Sequence, residues 1–298
     1  MKWITALQKT IEYVEKHLLE DISAQDVAAN VYLSPLYLQR GFQILTGMTI
    51  SEYIRNRRLY QAALEIGTTD AKIIDIAMKY GYDTPESFTK AFTRFHGNTP
   101  MKLRREHSPA KPFLPMKINI MIMGGTQMDF TVSPMPSFKL IGFERTFSYE
   151  NGYAEIPKFW DEICAKYAMI SKMSGKAQTL CEQAMIDNCI GEYGLCIDDC
   201  SDEKHFRYLI AGKYTGGDIP EGMTLYDVPQ FEWAKFKCVG PIPTALQSLN
   251  TQIFKEWLPN NPDYEIAAGI NIEWYSCERD QNAADYESGI WLPVKRKS

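Results

Sequence analysis

No stretch of the chain approaches the ~18 consecutive apolar residues that a bilayer crossing needs, which excludes a helical membrane span by pattern. The first residues, Met1 to Ile4, give way to Gln8, Lys9 and Glu12, so a secretory signal is not expected and the cytoplasm is the expected location. Seven cysteines occur without a C-x-x-C pair, and Cys196 and Cys200, the nearest two, have no histidine following at metal-ligand spacing. Free thiols are the reading, and no metal or cofactor is expected. Only four histidines are present, and no Ser/His/Asp or Cys/His constellation emerges around them. Charge of one sign is also lacking, with a formal net charge of -5.

What is present is ordinary globular composition, 45% hydrophobic and 23% charged, over 298 residues, about twice the usual domain size. Two domains are expected. Residues 1–108 carry 14 Lys and Arg against 12 Asp and Glu, and the remainder carries 18 against 25. Only the first part is therefore suited to a polyanion. Ser108 to Pro115 holds three prolines in eight residues and reads as a semi-stiff connector. The expected boundaries are 1–107, a linker 108–117, and 118–298.

The first part repeats. Asp26-Val27-Ala28 recurs as Asp75-Ile76-Ala77 at an offset of 49, and Ser34-Pro35, Leu38, Phe42, Leu45 and Gly47 recur as Thr84-Pro85, Phe88, Phe92, Phe95 and Gly97 at an offset of 50. The one-residue difference falls in a turn, as a repeated helix-turn-helix requires. Ser23 is placed to cap the first helix of one unit. Ser34 and Thr84 are N-caps followed by proline at the first helical position, and Gly47 and Gly97 stop the second helices. The i, i+4, i+7 apolar positions give each second helix one core face. Its other face carries Leu36, Tyr37, Gln39, Arg40 and Gln43 in one unit, and Glu86, Ser87, Thr89, Lys90 and Thr93 in the other. Arginine, glutamine and glutamate suit guanine, adenine and cytosine edges in a major groove. Ser51 to Ile66 lacks glycine and proline and predicts a helix of about 24 Å, a spacer between two reading helices. Arg55, Arg57 and Arg58 on it, and Lys102, Arg104 and Arg105 beyond the second unit, are candidate phosphate contacts.

Ala28, Leu38 to Phe42, Gly47, Tyr53 to Arg58, Ile76-Ala77, Gly81-Tyr82, Phe88, Phe92, Phe95 and Thr99-Pro100 together resemble the DNA-binding domain of the AraC/XylS transcription regulators. The resemblance implies duplex DNA as partner; RNA polymerase is a candidate partner in the alternative where the protein acts as a DNA-bound adaptor. The resemblance also implies base-facing roles for Leu36, Gln39 and Arg40, and for Pro85, Glu86, Ser87, Thr89 and Lys90.

A second repeat lies downstream. Pro136, Phe138, Leu140 and Phe143 match Pro229, Phe231, Trp233 and Phe236 at an offset of 93, each copy preceding a helix with a tryptophan, Trp160 or Trp257. Strand-like stretches follow at 208–211, 270–275 and 290–294. Two strand-helix-strand-strand modules in one sheet make an α+β domain behind an all-α one. The Asp227-Val228-Pro229 element, Trp233 to Phe236, Phe254 to Pro259 and Trp291 to Lys295 are similar to GyrI-like effector-binding domains. That resemblance implies a hydrophobic, often cationic, small-molecule effector. Phe147, Tyr149, Trp160, Tyr208, Trp233, Trp274 and Trp291 are candidate aromatic walls, with Glu273 and Glu287 as countercharges. Where relatives carry glutamate before the last strand this chain has Gly289, and alternation puts Glu287 on the same face. A transcription regulator that senses such a molecule is the leading expectation. A hydrolase using Glu273, Glu287 or Tyr208, and a ligand-free adaptor contacting another protein, are the alternatives.

Overall fold

The computed structural model describes residues 3–118, 128–172, 177–199, 204–277 and 280–297. The chain divides into two compact units, Met1–Ile122 and Met123–Ser298. The described part of the first unit is helical: α1 (Trp3–Lys16), α2 (Ala24–Val31), α3 (Pro35–Thr46), α4 (Ile50–Thr68), α5 (Ile73–Lys79), α6 (Pro85–His96) and α7 (Pro100–Glu106).

The local chemistry explains the boundaries. Ser23 and Asp26 form a reciprocal capping box at α2, as Thr49 and Glu52 do at α4. Ser34 and Thr84 accept from the backbone amides of Tyr37 and Ser87, with Pro35 and Pro85 at the first turn. Gly47 and Gly97 close α3 and α6 at φ of 77° and 81°, a left-handed conformation that glycine adopts without steric cost. The spacer helix α4 runs 19 residues, about 28 Å, slightly longer than its sequence pattern suggests. It shares a core with α5, α6 and α7 through Leu59, Ala63, Ile76, Phe88, Phe92 and Leu103.

The segment after α7 is not a free connector. Lys111 N–H donates to His96 Nδ1 at 3.1 Å, the Phe113 carbonyl accepts from Arg57, and Met116 N–H donates to the Tyr53 hydroxyl at 3.2 Å. The Phe113 ring lies against Tyr53 and Phe95, each at 5.9 Å. The prolines keep the strand extended, and these contacts seat it on the first unit.

The second unit is built on one antiparallel sheet. Its elements are β1 (Phe130–Met135), β2 (Phe138–Ser148), α8 (Gly152–Lys172), α9 (Leu180–Asp187), β3 (Tyr193–Ile197), β4 (His205–Lys213), β5 (Thr224–Val228), β6 (Phe231–Val239), α10 (Thr244–Gln252), β7 (Tyr264–Ile266), β8 (Ile270–Tyr275) and β9 (Glu287–Arg296). A π-turn, Ile253–Trp257, extends α10. The strand order is β1-β6-β9-β8-β3-β4-β2-β5, with β7 also on β9. That order reads as a twofold repeat about the β3–β8 pair, where Leu195 faces Ile272.

Each copy opens with a strand that the sequence repeat does not show, and the second copy also has the short β7. β1 and β5 precede β2 and β6 in the chain, yet β1 pairs with β6 and β5 with β2. The opening strands of the two copies are exchanged, so neither copy completes its own edge. The helix-covered face holds Tyr208, Phe236, Tyr275 and Ile290. The opposite face holds the cluster of Leu140, Tyr193, Leu195, Leu209, Trp233 and Ile272.

Candidate nucleic-acid interface and effector site

On α6 the outer face is open. Glu86, Ser87, Lys90 and Arg94 are exposed, while Phe88 and Phe92 are fully buried on the other side. Pro85, Glu86, Thr89, Lys90, Thr93 and Arg94 line one surface depression. Among the described residues Lys90 and Arg94 make no ion pair, which leaves two cations for an anionic partner. Arg94 was not among the residues picked out from the sequence, although it lies four positions beyond Lys90 on the same face.

The matching face of α3 differs. Leu36, Gln39 and Arg40 are 5%, 6% and 5% exposed, and burial runs unbroken through Phe42. This corrects the solvated face that its periodicity implies. For Gln39 the cause is local: its side-chain oxygen accepts from Ile50 N–H at 3.4 Å, at the start of α4.

The basic candidates also divide. Arg57 is buried, its Nε and Nη2 bound to the Glu15 carboxylate at 2.7 and 2.8 Å, and the Tyr53 hydroxyl donates to the same group at 2.7 Å. Arg58 donates to the Leu18 and Glu20 carbonyls at 2.7 and 2.5 Å. Arg104 donates to those of Ile66 and Ala71 at 3.2 and 2.7 Å. These three arginines tie helices and turns together, which corrects their reading as phosphate contacts. Arg55, Lys102 and Arg105 are exposed, beside Glu52 or Glu106.

In the second unit a carboxylate organises an aromatic cluster under α8. Glu273 Oε2 accepts from the Tyr208 hydroxyl at 2.9 Å and from the Tyr275 hydroxyl at 3.0 Å. The Tyr208 oxygen accepts in turn from Trp160 Nε1 at 2.9 Å. Trp160 stands edge-on to Tyr275 at 5.1 Å, and Phe147 edge-on to Tyr208 at 6.3 Å. Burial first, then the Glu273 charge, pushes both tyrosine hydroxyls well above their ordinary pKa, so they remain donors. Glu273 and Trp160 are half-buried, and Tyr208 is fully buried.

Gly194 makes the cluster fit. A Cβ there would lie 2.1 Å from the Tyr208 hydroxyl oxygen and 3.2 Å from Glu273 Oε2. Tyr275 was missed in the sequence, though two residues from Glu273 on one strand puts it on the same face.

The structure does not bring the remaining candidates here. Tyr149 stacks on Phe206 and gives its hydroxyl to Asp198. Trp233, Trp274 and Trp291 lie on the opposite face of the sheet. Trp233 is fully buried, Trp274 donates to Glu192 at 3.2 Å, and Trp291 lies under the Lys235 ammonium at 4.5 Å. Gly289 pairs with Trp274 and with Lys237, so its face is the tryptophan face. Glu287 shares it and forms an ion pair with Lys237 at 2.9 Å. It is therefore no substitute countercharge for the Glu273 cluster.

A duplicated helix-turn-helix unit ahead of a twofold-repeated sheet unit defines the class: helix-turn-helix transcription regulators with an effector-binding domain. The chain belongs to the family described as integron-associated effector binding protein, which matches residues 131–294, and as an AraC-type regulator it matches the helix-turn-helix domain family over residues 27–106. It is 40% identical over 98 residues to the regulatory protein SoxS of Salmonella typhimurium, covering 33% of this chain and 92% of that one. It is 32% identical over 168 residues to the right origin-binding protein of Escherichia coli, 56% of each chain. An alignment of that length reaches beyond the first unit. The chain spans 34% to 56% of the longer curated relatives it matches. The solved structure of SAV2435 bound to tetraphenylphosphonium is 20% identical with a TM-score of 0.44, covering 56% of this chain and 94% of that one.

Proposed function

We propose that the chain binds duplex DNA through its two helix-turn-helix units, and that its second unit takes a small aromatic cation at Glu273. For DNA the supporting feature is the α6 face: a capped N-terminus, exposed Glu86, Ser87 and Lys90 in reach of base edges, and Arg94 for a phosphate. In this proposal α3 is the second reading helix, through Gln39 and Arg40. A helix dimension suited to the major groove and two units spaced by a stiff α4 fit successive groove contacts.

The observation that carries the effector reading is the half-buried Glu273 carboxylate held by Tyr208 and Tyr275 beside Trp160. A carboxylate in partly apolar surroundings attracts a cation more strongly than it would in water, and ring faces add ~0.5–2 kcal/mol each. Regulation follows if the cation binds two conformations of the protein unequally. Titration calorimetry of the full chain with tetraphenylphosphonium tests this. The expected result is micromolar-range binding that Glu273→Gln weakens at least tenfold. Equal affinity for both proteins would refute the role of Glu273. Selection of bound duplexes from a random library tests the DNA half; enrichment of no sequence at moderate salt would sink it.

A further inference from the structure

One buried polar side chain on the helix-covered face of the sheet is left over. Asn271 is 1% exposed, and neither its amide nitrogen nor its amide oxygen has a hydrogen-bond partner among the described residues. An amide buried this way is costly unless something pairs it.

The strand register locates it. Asn271 faces Cys196, and Cys196 faces Tyr208, forming one row across β8, β3 and β4; the adjoining row is Glu273, Gly194 and Ile210. Alternation puts Asn271 on the Glu273 side of β8, two residues and about 7 Å away. Between the two polar groups β3 contributes Gly194 and Cys196, and the Tyr208 side chain crosses above Gly194 to reach Glu273. At the Glu273 end stands Trp160, half-buried and held by its bond to Tyr208 and its edge contact with Tyr275. The cluster thus has a charged group at its rim and a donor–acceptor amide deeper in, along one strand.

We propose that Asn271 is a second polar anchor of the effector site. It takes a ligand group that both donates and accepts hydrogen bonds, such as a carboxamide, about 7 Å from the cationic centre. This rests on the reading of Glu273 as the cation's countercharge and narrows the ligand class. A carboxamide meets the Asn271 amide with one N–H···O bond in each direction. A cation that is hydrophobic throughout leaves that amide unpaired, and a site built on hydrogen bonds discriminates against such ligands more strongly than an apolar pocket does.

Two probes of nearly equal size test the proposal: 4-carbamoylbenzyl-trimethylammonium, with its amide at roughly this spacing, and 4-methylbenzyl-trimethylammonium, which lacks it. Calorimetry on the full chain is expected to show the carbamoyl compound binding about tenfold tighter, or about 1.4 kcal/mol. Asn271→Leu is expected to bring the two affinities together, leave the methyl compound within about twofold, and keep or raise the Tm. Glu273→Gln should weaken both compounds alike. Equal affinities of the wild-type protein for the two probes overturn the proposal and leave the Glu273 reading intact. A Tm lowered by several degrees in Asn271→Leu also overturns it, by assigning the amide to internal packing. Binding of neither probe by the wild-type protein overturns the Glu273 reading and this inference with it.

Discussion

Tyr208→Phe removes one oxygen and two hydrogen bonds. The hydroxyl donates to Glu273 and accepts from Trp160, both at 2.9 Å, inside a residue that is fully buried. A hydrogen bond to a charged group contributes ~1.5–3 kcal/mol and a neutral one ~1 kcal/mol. Glu273 and Trp160 are each half-buried, so water recovers part of the loss, and about 2 kcal/mol is the expected cost. For a unit of this size that lowers the Tm by about 4–8 °C. Tyr275→Phe removes a single bond to the same oxygen, Glu273 Oε2, and should cost about 1 kcal/mol. The double variant should lose more than the sum of the two, by ~0.5–1 kcal/mol, because only then is Glu273 left without either hydroxyl donor. Differential scanning calorimetry on the full chain, resolving the transition of the second unit, measures all three. A Tyr208→Phe protein within ~0.5 kcal/mol of wild type, or one less affected than Tyr275→Phe, would refute the idea that Tyr208 links the sheet to α8.

Gly194→Ala should act at the same place by crowding: its Cβ meets the Tyr208 oxygen at 2.1 Å, and overpacking of this kind costs about 1–3 kcal/mol in an unfolding titration, with cation affinity falling in parallel. Lys90→Ala should weaken all DNA sequences or relax preference at one base; a phosphate role lowers the salt slope of binding by about one, which a titration from low to moderate salt reads directly. Arg58→Ala should lower stability instead, since the Leu18 and Glu20 carbonyls lose their donor, and a thermal melt separates the two effects. His96 is held below its ordinary pKa by burial first and by Lys111, and its Nδ1 must be unprotonated to accept from Lys111 N–H. Stability of the first unit should then be full above about pH 6.5. It should fall as pH drops through the lower folded-state pKa, because the unfolded chain binds the proton more readily. His96→Asn should flatten that slope in melts recorded from pH 7.5 to 5.

The helix ends were legible because their causes are local: Ser34 and Thr84 act on amides three residues away, and Gly47 and Gly97 on the turn that contains them. The exchange of β1 and β5 was not, since Phe130 faces Phe236 across more than a hundred residues and no nearby pattern records that pairing. Arg57 shows the same limit. Its position on α4 resembles those of Arg55 and Arg58, and only Glu15 on α1, brought beside it by folding, makes it an interior ion pair.

The effector cluster lies between these cases. Glu273, Tyr208 and Trp160 were found by residue type, but residue type also admitted Trp274, which a period of two sends to the opposite side of β8 from its neighbour Glu273. Applied strictly, that alternation joins Asn271, Glu273 and Tyr275 as one row along β8 and excludes Trp274, while Trp291 and Glu287 are excluded only by the register of β9 on β8. The face can be read from the strand. What is needed in addition is the register with β3, which sets Gly194 opposite Glu273 and gives the Tyr208 hydroxyl room to reach the carboxylate. The chemistry of the site therefore depends on a missing side chain at the repeat's twofold centre as much as on the polar groups around it.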